Sequence, residues 1–137
     1  MRARDKAAIG THQEARYVGE LQGIARFKFH EGKLEEYKRL SARAMEIVRA
    51  KEPGTLQYEI FFNEDESEAV VLERFRDSDA LLDHGANMAE ISEGVLATGT
   101  VEGELLGEPS DELRAKLTGP QPRLFLPWLS LASAALE

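Results

Sequence analysis

Apolar and polar positions alternate from Glu20 to His30. Leu21, Gly23, Ala25, Phe27 and Phe29 fall on one side, Gln22, Arg26 and Lys28 on the other. That period of two predicts a strand. After His30-Glu31-Gly32-Lys33 the period changes. Leu34, Tyr37, Leu40, Ala44, Ile47 and Val48 recur at three- and four-residue steps, predicting an amphipathic helix that stops near Glu52-Pro53-Gly54. Alternation returns from Thr55 to Phe62, with Leu56, Tyr58, Ile60 and Phe62 on one face. The polar run Asn63 to Ser67 is short enough to be a hairpin loop, so the apolar stretch Glu68 to Arg76 returns antiparallel. Asp77 or Ser78 caps a second helix, on which Leu81, His84, Met88, Ile91 and Val95 share a face; Gly94 and Gly99 loosen and end it. Thr100 to Gly107 alternates weakly and predicts a fourth strand.

The order is therefore β-α-β-β-α-β, with two similar units at 20–62 and 68–107. This is an α+β class, ferredoxin-like arrangement over residues 20–108: a four-stranded antiparallel sheet with both helices on one face. The other face is apolar too, through Ile24, Phe61, Val70 and Leu72. Large uncovered apolar faces are rare on monomers, which points to a homodimer through the sheet face. Residues 109–132 read as a short helix capped by Ser110 (Asp111 to Leu117) and an apolar tail, Arg123 to Leu129, that docks on its own subunit or its partner. Residues 1–19 lack a period and read as a flexible arm; residues 133–137 resemble the start of a purification tag.

Composition narrows the function. A length of 137 residues suits one domain of ordinary size. The net charge of −8 argues against a nucleic-acid partner, because Lys and Arg are scattered among acids rather than clustered. There is no cysteine, which excludes disulfides, thiolate catalysis and cysteine metal sites. No apolar run is long enough for a membrane span or a signal peptide, and a cytoplasmic location is expected.

The candidate chemistry gathers on the second helix and third strand. His84 sits on an otherwise apolar helix face aimed at the sheet, and histidine is the side chain that changes charge near neutral pH. It is either a proton acceptor in a site or a core histidine satisfied by a backbone carbonyl or by Glu73. Glu73 lies on the same side of its strand as Val71 and Phe75, where it meets His84 or Arg74 of a neighbour, lies at a dimer contact, or forms a structural ion pair. Tyr58 could donate a hydrogen bond to a ligand carbonyl or be a satisfied core tyrosine. Asn87, one turn after His84, could add an amide or simply face solvent. His12 and His30 stand alone, so no metal site is expected, and no phosphate loop, nucleophile elbow or dinucleotide fingerprint is present.

Four segments in order resemble the antibiotic biosynthesis monooxygenase family of dimeric α+β barrels: Gly32-Lys33; Glu52-Pro53-Gly54-Thr55-Leu56 with Tyr58; Val71-Leu72-Glu73-Arg74; and Asp77, Ala80 and His84. The resemblance implies oxygenation of a small aromatic or quinol-like substrate by O2 without metal, flavin or other cofactor. His84 would be the catalytic base or orienting group, with Tyr58, Glu73, Phe75, Asn87 and Met88 around the substrate. Phe75 stands where the family usually has tryptophan, and the first strand lacks the asparagine of haem-degrading relatives, which argues against haem chemistry. The alternative is a non-catalytic dimeric module that binds a small ligand or serves a stress response.

Overall fold

The computed structural model describes residues 19–131, so the expectations for residues 1–18 and 132–137 lie outside the described residues. Its elements are β1 (Leu21–Phe29), α1 (Leu34–Lys51), β2 (Thr55–Phe62), β3 (Glu68–Phe75), α2 (Ser78–Leu96), β4 (Gly99–Leu106), α3 (Asp111–Lys116) and β5 (Arg123–Phe125). The sheet order is β2-β3-β1-β4-β5. The first four strands pair antiparallel, in the ferredoxin-like plan expected from the period. The fifth was not foreseen: three residues of the tail add to β4 in parallel, pairing Leu105 with Leu124.

Helix α1 carries Tyr37, Leu40, Ala44, Ile47 and Val48 into the core, and α2 buries Ala80, His84 and Ile91. The sheet meets them with Leu21, Phe27, Val71, Phe75 and Leu105. Burying a large apolar side chain contributes roughly 1.5–3 kcal/mol, so these positions carry most of the fold's driving force. Asp77 supplies the α2 cap, its Oδ1 accepting from the Ala80 N–H at 2.9 Å. The glycines expected to loosen and end α2 also make close contacts. Gly94 lies inside the helix, where a Cβ would stand 3.1 Å from Leu40 Cδ1; its small size lets α1 and α2 close together. Gly99 begins β4, and a Cβ there would fall 2.1 Å from the Lys28 carbonyl oxygen.

The outer face of the sheet is mixed. Phe61 is half exposed, and Ile24, Val70 and Leu72 are half-buried, but Arg26 and Glu104 cross the same face as an ion pair at 3.1 Å. The tail docks only in part. Leu124 packs against the cluster of Leu21, Leu105 and Leu113, whereas Leu126, Trp128, Leu129 and Leu131 stay exposed on the subunit.

On the inner face three adjacent positions hold almost no side chain: Gly23 and Ala25 of β1 and, across the ladder, Gly103 of β4. Core strands ordinarily fill such positions with Val, Leu or Phe. Here the omission leaves space between the sheet and α2 and α3, and that space positions the site.

Candidate active site

His84 is buried between two rings, with its centroid 5.4 Å from Tyr58 and 5.3 Å from Phe75. Its hydrogen-bond partner is neither a backbone carbonyl nor Glu73, as the face pattern suggested, but Glu52. His84 Nδ1 lies 2.8 Å from Glu52 Oε1. An ionised carboxylate can only accept, so the ring nitrogen donates and the neutral ring keeps its lone pair on Nε2. Thr55 Oγ1 donates to the same oxygen at 2.8 Å, and Asn87 Nδ2 donates to Glu52 Oε2 at 3.1 Å. Asn87 is half-buried rather than solvent-facing, and one of its amide N–H groups braces the Glu52 carboxylate. A register shift between Thr55 and Gln57 at the start of β2 accompanies this junction.

Glu52 escaped sequence reasoning because Glu52-Pro53-Gly54 reads as a helix breaker. One signal was available. A helix C-terminus favours cations, so an acid at the C-cap of α1 is out of place unless something else holds it. Burial pushes the Glu52 carboxyl up, but the hydrogen bonds from His84, Thr55 and Asn87 outweigh it and leave the group below the ordinary carboxylate range.

Glu73 is the contrasting acid. Burial pushes it up, and Glu52's charge adds to that; His84 pulls the other way without cancelling the rise. Across the ladder it pairs with Tyr58 on β2 and Gly23 on β1, and a Cβ on Gly23 would stand 3.3 Å from Glu73 Oε1. Its carboxyl makes no hydrogen bond to another described residue. Two carboxyl groups thus sit near one histidine, one held ionised and one biased toward the neutral acid, a division that suits acid–base work.

Two cavities flank Glu73. The larger, about 590 Å³, lies over Gly23, Ala25 and Gly103 and is walled by Phe75, Leu81 and Leu113. The smaller, about 210 Å³, lies between α1, α2 and the sheet, and Tyr37, Tyr58 and Met88 line it. Burial, followed by the Glu73 charge, pushes the Tyr37 hydroxyl up to about 12 and raises Tyr58 as well, so both remain protonated donors. The structure therefore brings Tyr58, Glu73, Phe75 and Met88 to cavity walls. His84 is on neither lining; the rings of Tyr58 and Phe75 stand against it. Among the described residues no group of three or more His, Cys, Asp or Glu could hold a metal ion, and no helix is long and apolar enough to cross a membrane.

Residues 23–89 match the family model described as antibiotic biosynthesis monooxygenase. Among solved structures, MupZ from Pseudomonas fluorescens is similar over 82% of this chain and 93% of its own, at 27% identity and a TM-score of 0.71. A Caulobacter crescentus protein named for the same family is 26% identical over 65% of this chain and 89% of its own, with a TM-score of 0.59. SnoaB, a cofactor-independent oxygenase from Streptomyces nogalater, shares the fold at 23% identity and a TM-score of 0.57, over 64% of this chain and 91% of its own. No curated protein matches the chain.

Proposed function

With residues 23–89 forming an antibiotic biosynthesis monooxygenase domain, we propose that the protein is a cofactor-independent monooxygenase for a small aromatic or quinol-like compound. The observation that carries this reading is the hollowed floor at Gly23, Ala25 and Gly103, with the Glu73 carboxyl on the wall it shares with the smaller cavity. A mostly apolar cavity excludes water and strengthens every electrostatic contact inside it. The substrate enters the larger cavity and gives a proton to the Glu73 carboxylate, whose raised pKa makes it the stronger base of the two acids. The resulting electron-rich anion passes an electron to O2, and the two recombine. One oxygen atom stays on the product as a carbonyl and the other leaves as water, both electrons and both protons coming from the substrate. No outside reductant is needed.

His84 acts from behind the wall. Glu52 fixes its ring, which lies close enough to Glu73 to act on that carboxyl, so it is the orienting group rather than a surface that substrate touches. Tyr58, Phe75 and Met88 shape the enclosure. Two copies pair through Ile24, Phe61, Val70 and Leu72, with the exposed tail of each subunit available to extend the contact.

Oxygen uptake with a panel of hydroquinones and naphthols, in chelator-treated buffer without flavin, tests the reading. Uptake by the wild type and a loss of about 100-fold in kcat for His84→Ala are expected. Uptake that no compound drives, or that His84→Ala leaves unchanged, contradicts it. SnoaB, named as a cofactor-independent oxygenase, shares this fold, which supports the absence of a cofactor.

A further inference from the structure

The two cavities share a wall made by Ala25 and Glu73. We propose that the Glu73 carboxyl binds the oxygen of a neutral, two-part ligand, with a ring-sized portion in the smaller cavity and the bulkier portion in the larger. The inference rests on reading this region as a ligand site, but not on oxygen chemistry.

Size supports the division. An apolar cavity of about 150 Å³ takes a benzene molecule, so about 210 Å³ accommodates one ring and little else. About 590 Å³ lies within the range of drug-sized pockets. Polarity supports the position of the oxygen. Glu73 makes no hydrogen bond to another described residue, and buried polar groups without partners are few in folded proteins. Tyr37 and Tyr58 line the smaller cavity beside it, and their hydroxyls likewise bond no described residue. Three polar groups without a hydrogen-bond partner among the described residues therefore line the smaller cavity, and one of them, Glu73, also borders the larger.

The charge of the ligand follows from the surroundings. Toward Glu73 face the ionised Glu52 on the α1 cap, His84 on α2, and the protonated Tyr37 and Tyr58. At the larger cavity's rim, Glu104 and Glu112 outnumber Lys116. Among the described residues, Lys116 is the one cation on either cavity's lining, against three acids. A hydroxyl, which can both donate and accept, satisfies the carboxyl in either charge state; a carboxylate does not.

Benzhydrol is a direct probe, since its hydroxyl sits between two rings. Calorimetric titration should show it binding about tenfold more tightly than diphenylmethane, which lacks only the hydroxyl. Glu73→Leu should erase that difference, and Glu73→Gln, which keeps a donor and an acceptor, should retain most of it. In the wild type at pH 8, diphenylacetate should bind at least about tenfold more weakly than benzhydrol. This arm needs no variant. The proposal is overturned by benzhydrol failing to saturate, by an unchanged ratio in Glu73→Leu, or by diphenylacetate matching benzhydrol. None of these readouts involves O2, so oxygenase activity can fail while the ligand assignment stands, and the reverse.

Discussion

Glu52 stands at a helix C-terminus, where the backbone dipole repels an anion, and it is buried as well. It persists because three side chains donate to it. Replacing it with alanine strands the donors of His84, Thr55 and Asn87 and should cost about 3 kcal/mol in denaturant unfolding. Its pH signature has a definite sign. The folded-state pKa is lowered, so its stabilisation is present above the unfolded carboxylate value and is lost as pH falls through the lower folded value. Glu73 does the opposite. Its raised folded value means that stability falls as pH rises from the unfolded value towards the folded one. Glu73→Gln should therefore raise the melting temperature near pH 7, and the gain should vanish near pH 3. A lower melting temperature for Glu73→Gln at pH 7 would count against the assigned direction. At this scale His84 was legible, because a helical period places it on an apolar face. Its partner was not, because 32 residues separate the two and only the packing of α1 against α2 brings them together.

Among the elements, local chemistry was the better guide where it could act alone. The Asp77 cap, the α1 face and the hairpin at residues 63–67 each follow from neighbours in the chain, and each was readable. Asp77→Ala should cost about 1 kcal/mol and should fray the first turn of α2, which hydrogen exchange at Ala80 would detect. The glycines were read only in part, for a physical reason. A glycine marks either a chain break or a close approach, and Gly94 and Gly99 meet Leu40 and Lys28, contacts with no local trace. Gly94→Val should force the Leu40 side chain aside and cost roughly 1–3 kcal/mol. Strand β5 was equally hidden. Three residues with no clear alternation become a strand only because the β4 edge is there to receive them.

For the whole molecule, the sheet's outer face carries the prediction. If Ile24, Phe61, Val70 and Leu72 form the seam between two copies, Phe61→Glu should shift the sedimentation of the dimer to that of a monomer at micromolar concentration. A variant that stays dimeric would place the seam elsewhere, as would a wild type that sediments as a monomer. The ferredoxin-like scaffold was readable from the period of the strands, whereas the cavities were not. Gly23, Ala25 and Gly103 look unremarkable one at a time, and only the ladder sets them side by side beneath Glu73. The hollow between sheet and helices, rather than any single side chain, is what the proposed oxygenation depends on. Its most direct measurement is mass spectrometry of the product formed from an active hydroquinone or naphthol under 18O2 in metal-free buffer. Expected is one 18O atom per product molecule, with formation about 100-fold slower in His84→Ala. Product oxygen drawn only from water, or formation that requires added flavin or metal, would contradict it.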